Sequence, residues 1–412
     1  MAQTTFEHNL QKYADLITQV GVNVQPGQTI LLYAAVQQAP LARLITKAAY
    51  KLGASEVILN WQDTEIERQF LQHAPQSRLQ QEPDYAAQRA QQLADKRASR
   101  VSLISAAPDA YAGIASDRIA MHSKAAGQAN APLMKVTTNN DISWLVVAAA
   151  DVPWAEKVFP DLHGQAAVTK LWAEIFKTTL VDQPDPVAAW QTKIAALNER
   201  ANWLNAQQFE ALHYSAPQTD LTVGLPHNHV WEAAGSHDTQ GNFFVPNMPT
   251  EEVFTAPDNR HIDGTIVSTK PLSYNGAILK DLQITFKNGR VVAAHASQGD
   301  TVLQQLLATD DGAKSLGEVS LVPDQSPISQ SGIIFYNTLF DENASDHIAF
   351  GQAYPFNLKG GTKLSAAELA AHGINSSQTH VDFMVGSSHM NIDGLKADGT
   401  SIPVFRDGNW AE

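Results

Sequence analysis

The chain has 412 residues, 44% of them hydrophobic and 17% charged, and carries a formal net charge of -14 with no cysteine. This composition describes a globular protein with a large core; the length favours two domains. Disulfides, thiolate nucleophiles and sulfur-ligated zinc or iron are excluded, and the acidic balance, without Lys/Arg clusters, argues against nucleic acid or an anionic membrane as the principal partner.

The opening stretch MAQTTFEHNLQKYADLI has acidic residues and no apolar core of a secretory signal. The longest apolar runs, such as WLVVAAA (144–150), are too short to span a bilayer, so the cytoplasm is the expected compartment.

From residue 6 the spacing predicts a helix ending at Gly21, a strand at QTILLYAAV (28–36), a helix closed by Gly53, and a strand at SEVILNW (55–61). Further strands are expected at RVSLISA (100–106) and SWLVVAAA (143–150). This β-α-β alternation predicts an α/β N-terminal domain, a parallel sheet covered by helices. No strand is followed by G-x-G-x-x-G, and KGGTKLS lacks the phosphate-loop spacing, so no nucleotide cofactor is assigned. Helices are expected over 162–180 and 186–212, placing the domain boundary between 1–212 and 213–412.

Beyond Tyr214 the texture becomes short alternating strands: TDLTVGL (219–225), GTIVSTK (264–270), GEVSLV (317–322), SGIIFY (331–336) and HVDFMVG (380–386). LQITFKNGRVVAAHA (282–296) reads as a hairpin turning at Asn288-Gly289. The second domain is expected to be strand-rich, mainly antiparallel α+β.

Acids and histidines punctuate these strands. His380 and Asp382 share one strand face while Val381 and Phe383 share the other, and burying that polar pair requires an ion pair, hydrogen bonds or a metal. Glu251 and Glu252 are adjacent, so only one can enter a given pocket. Glu318 follows Gly317, and Glu342 and His347 lie in FDENASDHIAFG. His227, His229 and His237, in LPHNHVWEAAGSHD, read as surface or pocket-wall histidines, and His389 and Asp393 as structural or pocket residues. The chain has no G-x-S-x-G elbow or H-E-x-x-H helix.

NMPTEEVFTAPD, LGEVSLV, NTLFDENASDHIAFGQAYP and THVDFMVGS together resemble the signature segments of the aminopeptidase T, AmpS and PepS family of dinuclear metalloaminopeptidases, and the likeness runs end to end. The resemblance implies that Glu252, Glu318, Glu342, His347, His380 and Asp382 surround two divalent ions, and that Tyr354 points into the same site. The family's ligand spacing selects Glu252 over Glu251. Two divalent cations would balance four carboxylates, and an all-N/O donor set suits Zn, Co or Mn.

The implied activity is release of N-terminal residues from short peptides with broad specificity by an activated water, in a homodimer. Glu251 is expected to accept the proton and Tyr354 to donate to the oxyanion. The alternatives are a dinuclear hydrolase of another amide or ester, and a small-molecule binding protein whose acids form ion pairs.

Overall fold

The computed structural model describes residues 5–411. Two compact units are present: one holds the chain up to Thr192 together with Gly235–Pro249, the other Lys193–Ala234 and the chain from Thr250 onward. Among the described residues no helix is long and apolar enough to cross a membrane.

In the first unit, α1 (Thr5–Leu16) buries Leu10, Tyr13 and Ala14 at helical spacing, and the Tyr13 hydroxyl donates to the carbonyl of Ala148 at 2.8 Å. Strand β1 (Thr29–Ala35), helix α2 (Ala39–Lys51) and strand β2 (Glu56–Gln62) form the expected β-α-β unit. Gly53, at φ +96°, ends α2 where the sequence placed its stop. Strands β3 (Ser99–Ile104) and β4 (Trp144–Ala148) extend a parallel sheet in the order β2-β1-β3-β4, and the two-residue strand Asn247–Met248 pairs parallel with β4. Helices α3 (Asp84–Asp95) and α4 (Ser116–Thr138) cover it, since Ala90 and Leu93 of one and Leu133 of the other pack with Leu31 of β1.

Helix α5 (Gln165–Thr178) matches its expectation, but α6 (Pro186–Gln207) stops short of residue 212. Gln208 takes a left-handed φ of 47°, and Leu212 instead pairs with Val223 in a sheet. The two compact units change over inside α6, between Thr192 and Lys193, where the sequence reading drew its line at 212/213.

The second unit contains β5 (Ala211–Ala216), β6 (Thr219–Gly224), β7 (Val253–Thr255), β8 (Ile262–Val267), β9 (Gln283–Lys287), β10 (Arg290–His295), β11 (Leu316–Leu321), β12 (His347–Gly351), β13 (His380–Met384), β14 (Asn391–Leu395), β15 (Ser401–Arg406) and β16 (Asn409–Trp410). Among the described residues they make an eight-stranded sheet, β10-β9-β8-β6-β5-β14-β15-β16, and a four-stranded sheet, β7-β11-β12-β13, both antiparallel. Asn288 and Gly289, at φ 48° and 77°, make the expected hairpin turn between β9 and β10.

Residues 331–336, expected as a strand, form none. The Ser331 and Gly332 N–H groups close a turn onto the carbonyls of Ile328 and Ser329, and two further donors go to side chains: the Ile333 N–H to Ser331 Oγ and the Phe335 N–H to Asp341 Oδ1 at 2.8 Å, while Tyr336 sits at φ 52°.

Candidate metal centre

The four-stranded sheet sorts its residues by alternation. On β11, Val319 and Leu321 enter the apolar core, so Glu318 and Ser320 point to the opposite face. Ser320 faces His347 on β12, Glu318 faces Ala349, Ala349 faces Asp382 on β13, and Gly351 faces His380. The face opposite the core thus collects Glu318, His347, Asp382 and His380, while Phe383 stacks on Phe350 at 4.6 Å within the core.

Backbone approaches hold this register. β11 bulges between Leu316 and Glu318, and a Cβ on Gly317 would lie 2.3 Å from the Gln352 oxygen and 2.4 Å from that of Gly351. Only glycine fits there.

Two more acids arrive from outside the ladder. Glu252 immediately precedes β7 and accepts from Ser320 Oγ at 2.9 Å. Glu342 opens a short 3-10 turn (Glu342–Ala344), anchored by the preceding Asp341, whose carboxylate accepts from the Phe335 and Asn337 N–H groups. In that turn Asn343 Oδ1 accepts from the Glu251 N–H at 2.7 Å, joining the two segments.

The resulting distances are short. His347 Nε2 lies 3.1 Å from Glu252 Oε2 and 3.6 Å from Glu318 Oε1; His380 Nε2 lies 3.5 Å from Glu318 Oε2 and 3.4 Å from Asp382 Oδ1. Both rings turn Nδ1 toward carbonyls, His347 to Glu342 at 3.0 Å and His380 to Gln352 at 2.6 Å. A carbonyl only accepts, so each Nδ1 carries its proton and each Nε2 presents its other bonding position to the acids.

Electrostatics follow from burial. Desolvation, with repulsion from Asp382 and Glu252, raises the Glu318 carboxyl, and the same causes push Glu342 well up. Burial opposes charge on His347, but hydrogen bonds to Glu252 and Glu318 outweigh it and raise its pKa well above the usual imidazole value. His380, likewise desolvated, is pushed up to about 10 chiefly by Asp382. Burial would raise Asp382, but His380 brings it below its ordinary value. The cluster holds an excess of carboxylates and draws cations inward.

Its donors fit a divalent metal. Among the described residues three sets have ligand atoms within 4.8 Å of one another: Glu252, Glu318 and His347; Glu318, His380 and Asp382; Glu342, His347 and Asp382. The buried Asp382 Oδ1 has no hydrogen-bond partner among the described residues, as befits an atom reserved for a cation. All six residues named as ligands from the resemblance come together here.

Tyr354 stands beside them, its ring centroid 5.1 Å from that of His380. Burial, and then the neighbouring carboxylates, push its phenol well above its usual pKa, so the hydroxyl remains a donor. Glu251 is not among the metal-capable acids. It is ion-paired with Lys193, on α6, with both side chains 11% exposed. Burial raises the Glu251 carboxyl while Lys193 draws it down.

Sequence reasoning missed Lys193, Asn343 and Ser320. Only Ser320 left a signal, standing two positions from Glu318 on the same strand face. His227 and His237 are exposed, and His229 is buried with Nδ1 bonded to the Pro226 carbonyl. None of the three joins a metal-capable set among the described residues.

Residues 6–410 match the family described as thermophilic metalloprotease (M29). The chain belongs to the M29 metalloprotease family. As an M29 metalloprotease it hydrolyses peptide bonds. It is 51% identical to aminopeptidase PepS of Streptococcus thermophilus over 411 residues, 100% of each chain to the nearest per cent, and 48% identical to aminopeptidase AmpS of Bacillus subtilis (strain 168), covering 99% of each. The solved structure of wild-type AmpT from Thermus thermophilus matches with a TM-score of 0.92 at 38% identity, covering 99% of this chain and all of that one. The M29 fold is thus shared from end to end.

Proposed function

We propose that this M29 metalloprotease is an aminopeptidase releasing N-terminal residues from short peptides of varied sequence, with two divalent ions, Zn, Co or Mn, held by Glu252, Glu318, Glu342, His347, His380 and Asp382. The observation that carries it is the sharing of ligands: Glu318, His347 and Asp382 each belong to two of the three metal-capable sets, the arrangement that adjacent ions require. The names of the relatives, all aminopeptidases, support the exopeptidase reading.

When bound, the ions supply Lewis acidity for the scissile carbonyl and make water a nucleophile near neutral pH. The protein's own residues do the rest. The Nδ1–H bonds to carbonyls fix both imidazoles in the tautomer that leaves Nε2 available. Ser320 orients Glu252. The Tyr354 hydroxyl donates to the oxygen of the carbonyl under attack, and Glu251, held by Lys193, takes the water's proton and returns it to the leaving amine. The family resemblance adds a homodimer, which sedimentation of the purified enzyme tests.

The decisive experiment compares a short peptide with a free N-terminus against its N-acetylated twin, before and after chelation and after divalent metal is restored. Cleavage of the free peptide alone, lost and regained with metal, is expected. Equal cleavage of both would overturn the exopeptidase reading, and full activity after exhaustive chelation would overturn the metal one.

A further inference from the structure

The face of the four-stranded sheet that carries the metal-capable residues extends one strand further than the cluster itself. Glu232 and Phe254 form a β-bridge in which each backbone N–H donates to the other's carbonyl at 2.9 Å. Directly opposed residues of an antiparallel pair put their side chains on the same face. Phe254 in turn opposes Ser320, whose hydroxyl binds Glu252, and Ser320 opposes His347. Glu232 therefore projects from the same face as the cluster, two ladder steps from Ser320, which is roughly 10 Å.

Between them runs an aromatic wall. Phe254 packs edge-on against Tyr354 and Phe356, with centroids at 6.4 and 6.3 Å; Tyr354 stacks on Phe356 at 5.1 Å and adjoins His380. Such a wall tolerates apolar side chains, and its ring faces attract cations.

The carboxylates near this face divide by their counter-charges. Glu252, Glu318, Glu342 and Asp382 make up the metal-capable sets, and Glu251 is matched by Lys193. For the Glu232 carboxylate no hydrogen bond or ion pair occurs among the described residues. Burial alone pushes it up to about 7, with no neighbouring cation or donor to bring it back.

We propose that Glu232 receives a cationic nitrogen of the peptide substrate, its free α-ammonium or the side-chain cation of a lysine or arginine at the first position. This assignment rests on the aminopeptidase reading. A first residue whose carbonyl lies at the cluster reaches Glu232 along the aromatic wall through a long cationic side chain, while the glutamate's own length carries its acceptor back toward an α-ammonium.

The test uses the p-nitroanilides of alanine, norleucine, lysine and arginine with the wild type, E232Q and E232D, alongside calorimetric binding of lysinamide and norleucinamide to the enzyme as purified. If the side-chain cation is the ligand, E232Q lowers kcat/KM for lysine and arginine by about tenfold or more, leaves norleucine within about twofold, and erases any advantage of lysinamide over norleucinamide. If the α-ammonium is the ligand, all four substrates and both amides lose about tenfold. E232D, which keeps the charge, retains more than E232Q in either case, a rescue that a packing role would not produce. An active wild type with every E232Q value within about twofold overturns the assignment alone. A wild type that cleaves none of the four overturns the aminopeptidase reading and this assignment with it.

Discussion

Glu318 stands between two histidines, its Oε1 3.6 Å from His347 Nε2 and its Oε2 3.5 Å from His380 Nε2. One carboxylate thereby joins two of the metal-capable sets. E318Q removes the shared charge while keeping the shape, so metal content is expected to fall in both sets at once. Metal affinity should drop by at least about 10²-fold and peptidase activity with it. Elemental analysis of the purified variant checks this; full metal occupancy would show that Glu318 is not shared.

The glycine beside it sets how close the two strands come. A Cβ at 317 meets backbone oxygens of β12 and its continuation, and backbone cannot rotate away as a flexible side chain can. G317A is expected to lose about 1–3 kcal/mol of stability and to weaken metal retention, because Glu318 follows directly. Denaturant unfolding with and without added metal measures both. An unchanged midpoint would mean that the bulge accommodates a side chain.

Much of this site was legible because strands have a period of two. His380 and Asp382 on one face and Phe383 on the other follow from alternation alone, as does the turn from Asn288-Gly289. Convergence of four segments was not legible from periodicity; it came only with the resemblance. Residues 331–336 misled because Ile333, Ile334 and Phe335 have strand-like apolarity, while the backbone bonds that decide their conformation come from Ser331 and from Asp341 further along the chain. Asn247–Met248, which returns to the parallel sheet, is too short to show any period.

Tyr354 offers a separable contribution. Its hydroxyl stays protonated because burial and the surrounding carboxylates oppose ionisation. Y354F is expected to keep its metal and lower kcat by about 10²–10³-fold, with a much smaller change in KM, as for loss of one oxyanion donor. A kcat within about threefold of wild type would remove Tyr354 from that role.

Lys193 and Glu251 are 58 positions apart in sequence, and no pattern announces their pairing. Both are largely withdrawn from water, so K193M strands a buried carboxylate and should cost about 3–5 kcal/mol. K193M/E251Q should recover most of that loss, and K193R part of it. A double-mutant cycle in urea reads the coupling; a value below about 0.5 kcal/mol would mean the pair is not structurally important, leaving any loss of turnover in E251Q to chemistry.

Glu232 makes the clearest pH prediction because its only perturbation is burial. Its folded pKa, about 7, lies above the ordinary value of 4.5, so the fold favours the protonated form. The stability this contributes is fully present below about pH 4.5 and is lost as pH rises through about 7. E232Q cannot ionise, so relative to wild type it should gain on the order of 1–3 kcal/mol at pH 8 and little at pH 4. Paired denaturation curves at the two pH values test the sign directly. A variant less stable than wild type at pH 8 would mean that the ionised carboxylate is already satisfied within the fold, and it would remove the reason for expecting a substrate cation there.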